Sequence, residues 1–203
     1  MDKQYRFGAV IPAAGLSSRM GAFKPLLPCG DSTVIERSVG SLTPHILTAA
    51  VVVGYRGDEV AAALKKRFGG QLTIVTNPDY AATDMLRSVQ LGLRAIEECS
   101  AFFLLPADMP LVPDAVYRAL IDAFDDCADV IYPVIDGRRG HPPLIHTRLI
   151  PEILAYEGDG GLRTILGGRR VKEVAVTDQG ILTDLDTPRD YQNTINRQLP
   201  IKR

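Results

Sequence analysis

Short apolar runs alternate along the chain with longer stretches in which apolar residues recur at helical spacing. The runs do not alternate strictly between apolar and polar positions, which indicates strands that are buried on both faces. These predicted strands lie at 7–12, 48–54, 71–76, 101–106 and 129–134. The amphipathic stretches predict helices at 32–42, 58–68, 84–97 and 113–124. This order is typical of an α/β fold, in which helices cover a mostly parallel sheet.

The pattern loosens after residue 134. A polar segment at 136–143 is followed by two short helical pieces, by two short strands near 171–176 and 181–184, and by a last helix that begins at Pro188. We interpret this part as an appendix to the α/β core. Because 203 residues is also near the size at which one hydrophobic core is expected, we predict a single domain over 1–203.

Composition and charge restrict the possible functions. Hydrophobic residues make up 46% and charged residues 23% of the chain, which is ordinary for a globular protein. The formal net charge of -1 provides no broad basic field, so strong binding to nucleic acid is not expected. The apolar run near the N-terminus is too short to span a bilayer and does not resemble a signal peptide. We expect a cytoplasmic protein with neither a nucleic-acid nor a membrane partner.

Three cysteines, Cys29, Cys99 and Cys127, are far apart in the sequence. Their spacing and odd number fit neither a disulfide framework nor a CxxC metal or redox site. We interpret them as thiols of the core or bystanders on the surface.

A loop with small residues follows the first predicted strand. Gly15 and Gly21 let the backbone approach a ligand, and successive N–H groups in such a loop can surround phosphate oxygens. Arg19 and Lys24 add positive charge beside it. The loop matches neither the Walker A sequence nor the GxGxxG dinucleotide motif. From residue types alone, a phosphate-binding loop and a plain basic surface loop are both open.

Asp108 follows the buried strand predicted at 101–106, at the end of the sheet where α/β folds place ligands. A carboxylate there is costly to leave unpaired, so it requires a cation or several hydrogen-bond donors. Mg²⁺ fits because it can join one or two carboxylates to substrate phosphates. A cap on the helix near Pro113 is the alternative, although four residues separate the two.

Polar residues in other turns are further candidates. Asn77 closes the third predicted strand, and Asp84 is better read as the N-cap of the next helix than as a ligand. His141 lies in a polar turn beside Arg138 and Arg139, which suits an anionic neighbour. The remaining histidines are interpreted as structural. The arginine pairs at 138–139 and 169–170 are interpreted mainly as solvated charge.

One motif carries a specific resemblance. The first loop reads Pro12-Ala13-Ala14-Gly15-Leu16-Ser17-Ser18-Arg19-Met20-Gly21, followed by Lys24. It resembles the signature loop of the nucleotidyltransferases that make nucleotide sugars and dinucleotide forms of molybdopterin, and most of all the molybdenum cofactor cytidylyltransferases. The resemblance implies a three-layer, Rossmann-like nucleotidyltransferase fold. Related guanylyltransferases usually have Ala-Gly-Gly at 13–15, so the sequence favours CTP.

The resemblance also implies roles for individual residues. The nucleotide would be held by Ala13, Ala14, Gly15, Ser17, Ser18, Arg19, Lys24, Asn77 and Ser88. The acceptor would be held by His141 and Arg163, and the metal by Asp108 in a Leu-x-x-Asp-x-Pro pattern and by Asp186 in an Asp-x-Asp-Thr-Pro pattern, with Asp184 as the alternative. Two carboxylates about 80 residues apart, each after a predicted strand, are what one shared Mg²⁺ requires.

With residues in these roles, the resemblance implies a Mg²⁺-dependent enzyme. It would transfer CMP from CTP to molybdopterin and release pyrophosphate, with Arg19, Lys24 and Asp108 as the catalytic residues. The partners implied are CTP, molybdopterin or another phosphorylated acceptor, and a recipient molybdoenzyme or its chaperone. Three alternatives stay open: transfer from GTP, transfer of a cytidylyl or uridylyl group to a phosphorylated sugar or polyol, and a nucleotide-binding module without turnover. The segment 83–88 departs from the usual Gly-Met-x-x-Ser of the family, which weakens the prediction for the base.

Overall fold

The computed structural model of the protein describes residues 4–17 and 20–198. Most strands of this part join one main sheet, and a short hairpin stands apart from it. The strands are β1 (Phe7–Ala13), β2 (Pro28–Cys29), β3 (Ser32–Thr33), β4 (Thr48–Val53), β5 (Thr73–Thr76), β6 (Ala101–Leu104), β7 (Val130–Ile135), β8 (Arg138–Arg139), β9 (Leu144–His146) and β10 (Val171–Ala175).

The main sheet is mostly parallel, as the sequence pattern predicts. Its order is β10-β7-β9-β6-β1-β4-β5, and β8 pairs with β7 outside this path. β1 lies between β4 and β6 and is parallel to both. β9 is antiparallel to its neighbours β6 and β7. The fold is therefore an α/β fold with antiparallel strands inserted on one side of the central β1.

Helices cover both faces of this sheet. They are α1 (Val34–Leu42), α2 (Gly57–Phe68), α3 (Met85–Leu93), α4 (Asp114–Asp122), α5 (Ile150–Ala155), α6 (Gly161–Leu166) and α7 (Pro188–Gln198). None of the helices that the structure describes combines the length and the apolarity needed to cross a membrane.

Successive residues of β1 point into two separate cores. Ala9 and Ile11 pack with apolar residues of α1, α2 and α4, whereas Val10 packs with those of α3, α5 and α6. This follows from the alternation of side chains along a strand. The result is a three-layer arrangement of helices, sheet and helices, which confirms the predicted fold.

Side-chain caps define where two of the helices begin. Thr33 and Glu36 form a reciprocal capping box at the start of α1. The Asp84 carboxylate accepts a hydrogen bond from the Arg87 backbone N–H, at 3.3 Å, so the prediction of Asp84 as an N-cap is confirmed.

Several predicted elements or boundaries were wrong. The segment 181–184 is not a strand. Its first two residues belong to the 3-10 turn Gln179–Leu182, and the Ile181 carbonyl accepts a hydrogen bond from the His141 backbone N–H instead of pairing with a neighbouring strand. The helix predicted at 84–97 ends at Leu93, before a turn closed by the bond from Ala95 N–H to Gly92. Pro113 stands just before α4, in an extended conformation, and is not its first helical residue.

Candidate active site

The ends of β1 and β6 bring the first loop beside Asp108. Pairing continues past the strands, because Leu105 N–H donates to the Val10 carbonyl at 3.1 Å and Ala107 N–H donates to the Pro12 carbonyl at 3.3 Å. The carboxyl ends of parallel neighbours lie at one edge of the sheet, which is where α/β folds bind ligands. Asp108 is thereby fixed next to the loop that begins at Ala14.

A buried leucine brings the second acidic segment to the same place. Leu185 is fully buried and packs with Met20, Cys29, Val34 and Ile195. Its backbone N–H donates to the Asp108 carbonyl at 3.2 Å. Asp184 and Asp186, on either side of this leucine, both line the cavity that Asp108 lines.

Lys24 joins the two acidic segments. Its Nζ donates to Asp108 Oδ2 at 2.7 Å and to Asp186 Oδ1 at 3.0 Å. Burial lowers the pKa of Lys24, but the hydrogen bonds and charges of the two aspartates outweigh that effect and raise its pKa above the ordinary value. Lys24 is therefore a firmly protonated cation between two carboxylates.

The acidic cluster is strongly negative around Asp184. Burial, together with the charges of Asp186 and Asp108, raises the pKa of the Asp184 carboxyl, while Lys24 lowers it. Like charges gathered in a partly buried place favour an additional cation.

The donor set fits a hard divalent ion. Asp108 and Asp186 already direct one oxygen each towards a single cationic atom, and carboxylate oxygens suit Mg²⁺ and Mn²⁺. No group of three or more histidine, cysteine or acidic side chains among the described residues has the arrangement of a metal site. Substrate phosphate and water would have to complete the coordination, as is usual for Mg²⁺.

The loop after β1 presents backbone to the cavity. Ala13, Gly15 and Ser17 line it, and a Cβ added at Gly15 would meet no heavy atom within 4 Å, so a ligand can approach closely there. Ser17 has a left-handed φ of 54°, which is costly for a non-glycine residue and is typical of functional loops. Its Oγ accepts a hydrogen bond from Lys24 N–H at 3.3 Å.

Other loop residues have different positions. Ala14 is buried, and its carbonyl would lie 2.8 Å from a Cβ added at Gly54, so the end of β4 packs tightly beneath the loop. Ser18 and Arg19, both predicted to contact the nucleotide, lie outside the described residues.

The cavity has a volume of about 630 Å³, within the range of small-molecule sites. Leu16 and Met85, which are 49% and 57% exposed, line it together with Ile181 and other apolar residues. Arg139 and His141 also line it. Sequence reasoning missed Leu16, Ile181 and Arg139, because their meeting depends on contacts between segments far apart in the chain.

His141 is predicted to face an acceptor and does line the cavity. Its ring is open to the cavity but surrounded by protein, and this desolvation lowers the pKa of His141. The hydrogen bond with the Leu104 backbone and the charges of Asp108 and Asp184 act in the opposite direction.

Asn77, Ser88 and Arg163 are not brought to the cavity. Asn77 is buried, and its Nδ2 donates to Ser88 Oγ at 3.2 Å and to Thr83 Oγ1 at 3.1 Å. These bonds fix the connection between β5 and α3. Arg163 lies on α6 with an exposed side chain. None of the three is among the residues that line the cavity in the described part of the chain.

Cys29 belongs to the core. It is fully buried, and burial raises the pKa of its thiol to about 11. The thiol is therefore protonated at neutral pH and unsuited to act as a nucleophile or metal ligand.

Comparison with known proteins identifies the family. The model of the MobA-like NTP transferase domain matches residues 9–174, which is most of the chain and includes the first loop and Asp108. The chain belongs to the MobA-like NTP transferase family. As a member of this family it is a nucleotidyltransferase.

Individual relatives of this MobA-like transferase share its length as well as its sequence. It is 33% identical to the molybdenum cofactor cytidylyltransferase of Escherichia coli, over 90% of this chain and 92% of that protein. It is 27% identical to a probable molybdenum cofactor guanylyltransferase of Bacillus cereus, over 88% of each chain. Among solved structures, a nucleotidyl transferase from Methanothermobacter thermautotrophicus superposes with a TM-score of 0.79 at 27% identity, covering 94% of this chain and 96% of that one.

Proposed function

We propose that this protein transfers CMP from CTP to the phosphate group of molybdopterin, with Mg²⁺, and releases pyrophosphate. The observation that carries the proposal is the cluster of Lys24, Asp108 and Asp186 beside the loop after β1, in one cavity. A phosphate-binding loop, a lysine and two carboxylates suit the transfer of a phosphorus group, which depends on positioning and charge neutralisation.

The chain's own groups would divide the work as follows. Backbone N–H groups at 13–17 hold triphosphate oxygens, and Lys24 neutralises charge that grows on them during transfer. Arg19 is proposed to assist from its place in the same loop. A Mg²⁺ held by Asp108 and Asp186 would supply further charge neutralisation to the phosphates when it is bound.

The reaction needs neither a covalent intermediate nor a general base. An oxygen of the acceptor phosphate forms a bond to the α-phosphorus of CTP, and the bond from that phosphorus to the bridging oxygen breaks as pyrophosphate leaves. A phosphate monoester is largely a dianion at neutral pH, since its second pKa is about 6. Its oxygen is thus already deprotonated, which agrees with a cavity where Lys24, Asp108 and Asp186 provide charge beside the loop.

The choice of CTP is supported by the small side chain at Ala14 in place of a glycine and by the higher identity to the E. coli cytidylyltransferase. Several relatives that are guanylyltransferases make GTP the second candidate. Because Asn77 and Ser88 are engaged with each other, we propose that they support the nucleotide pocket from behind its wall.

Pyrophosphate release tests this function directly. Purified protein is given CTP or GTP, Mg²⁺ and the molybdenum-loaded pterin. We expect release with CTP and little with GTP. Release with GTP alone would support the proposed mechanism but refute CTP as the nucleotide. No release with either nucleotide would refute the pterin as acceptor, and phosphorylated sugars and polyols would be assayed next.

A further inference from the structure

Arg139 is a charged residue of the cavity wall to which neither the motifs nor the comparisons give a role. It lies on β8, and together with Gly140 and His141, which follow it, it forms one wall of the cavity. Lys24 and the loop after β1 come from other elements of the fold. The cavity is therefore lined by cationic side chains from two distant segments.

The Arg139 guanidinium is held by two neighbours. Its Nε donates to Glu173 Oε1 on β10 at 2.7 Å, and its Cζ lies 5.1 Å from the centroid of the Tyr132 ring on β7. The side chains of Arg139 and Glu173 are about half exposed, so this ion pair contributes little to stability. Its effect is to restrict the orientation of the guanidinium.

These contacts leave the terminal nitrogens of Arg139 for a ligand. No described residue accepts a hydrogen bond from them. A guanidinium held through Nε and one face still presents a planar pair of donors, which matches two oxygens of a phosphate. The Tyr132 ring and the Glu173 carboxylate thus orient the Arg139 guanidinium for bidentate binding of an anion.

We propose that Arg139 binds the phosphate of the acceptor and so selects phosphorylated acceptors. This rests on the proposed function, in which an acceptor phosphate attacks the nucleotide. In-line attack places the acceptor opposite the leaving pyrophosphate. With the triphosphate at the loop and Lys24, Arg139 is a second cation among the described cavity residues, and it lies on another wall from which it can meet the acceptor.

The neighbouring Arg138 provides a matched control. Adjacent residues of a strand point to opposite faces, and Arg138 is exposed but does not line the cavity. Both residues carry the same charge on the same short strand, so any general effect of removing an arginine appears in both variants.

The experiment compares Arg139→Ala, Arg139→Lys and Arg138→Ala by steady-state kinetics with molybdopterin and CTP. We expect Arg139→Ala to raise the KM for the pterin about 10- to 100-fold, as for loss of charge-assisted hydrogen bonds. Arg139→Lys should raise the KM for the pterin by a smaller factor, because a lysine keeps the charge but cannot bind two oxygens in a fork. The KM for CTP, the thermal midpoint and all constants of Arg138→Ala should stay near wild type.

Binding without turnover separates this inference from the function on which it rests. Calorimetric titration of molybdopterin, with a non-hydrolysable CTP analogue present, should show the same loss of affinity in Arg139→Ala. Equal affinity in Arg139→Ala and Arg138→Ala would overturn the inference even if CMP transfer is normal. Weaker binding in Arg139→Ala, in a protein that transfers CMP to no acceptor, would support the phosphate site and refute the proposed function.

Discussion

Lys24 holds two carboxylates from segments about 80 residues apart in the chain, and substitution of single side chains tests this contact. Asp108→Asn keeps the shape of the side chain but removes its charge, so Lys24 and the proposed metal ion should both be held less well. We expect CMP transfer to fall by about 100-fold or more, as when other groups that stabilise transition-state charge are removed. The measurement is kcat at saturating Mg²⁺, CTP and acceptor.

The fold of this variant should be intact, because Leu185 is bonded to the main-chain carbonyl of Asp108 and not to its side chain. Asp122→Asn, an exposed change on α4, is the matched control and should be fully active. Near-normal turnover of Asp108→Asn would remove the metal assignment.

Prediction from sequence succeeded best for residues next to strand ends. Lys24, Asp108 and Asp186 were predicted to act together, and they meet. Asn77 was predicted to touch the nucleotide, yet its amide is turned into the protein to hold Ser88. A motif gives the position of an amide in the chain, but the direction of its side chain depends on neighbours that only the fold brings close.

Helix α3 packs closely against β1 at Gly92, and this contact can be tested by adding a methyl group. A Cβ added at Gly92 would lie 2.5 Å from Val10 Cγ1, a branched and fully buried group that cannot move aside. We expect Gly92→Ala to lower the free energy of unfolding by about 1–3 kcal/mol because of overpacking. Urea unfolding measures it.

Two further variants make that experiment decisive. Gly70→Ala adds the same methyl where no heavy atom lies within 4 Å, and should be close to wild type. Val10→Ala combined with Gly92→Ala should recover part of the lost stability, since it removes the clashing branch. A Gly92→Ala protein as stable as wild type would show that α3 can shift, and that alanine's higher helix propensity, about 1 kcal/mol, offsets what remains of the clash.

Elements with their own cap or periodic face were predicted well, and elements defined by a distant partner were not. α1 and α2 carry such signals. The short β9 was not predicted, because it is a strand only through pairing with β6 and β7. The opposite error occurred at 181–184, where an apolar stretch predicts a strand but Ile181 and Leu182 belong to a 3-10 turn.

For the molecule as a whole, the ion pairs of Lys24 should stabilise the fold when no metal ion is bound. Its ammonium group partly neutralises Asp108 and Asp186 when no divalent ion is present. We therefore expect a chelator to abolish transfer while the thermal midpoint changes by no more than about 2 °C, which corresponds to less than about 1 kcal/mol for a domain of this size. Differential scanning fluorimetry and the pyrophosphate assay, run on the same sample, measure both quantities.

Restored activity on adding Mg²⁺ back completes the control. A midpoint lowered by several degrees would show instead that the ion is part of the folded framework. In that case the described contacts of Lys24 would not be the ones that hold the acidic segments together.

The fold class was predictable over the whole molecule because nearly every buried strand is followed by an amphipathic helix. The cavity was not. Its walls come from the loop after β1, the segment after β6, the start of α3, the β8 segment and residues 181–186. Their assembly depends on packing between segments that are far apart in the chain.

The position of Asp186 has a consequence for protein synthesis. Leu185 ties this late segment to Asp108, whose own loop is made some 80 residues earlier. On a ribosome, the loop after β1 and β6 are synthesised before residues 184–186 are translated. The growing chain can thus arrange these strands before its acidic cluster is complete, so the cluster forms only after residues 184–186 have left the exit tunnel.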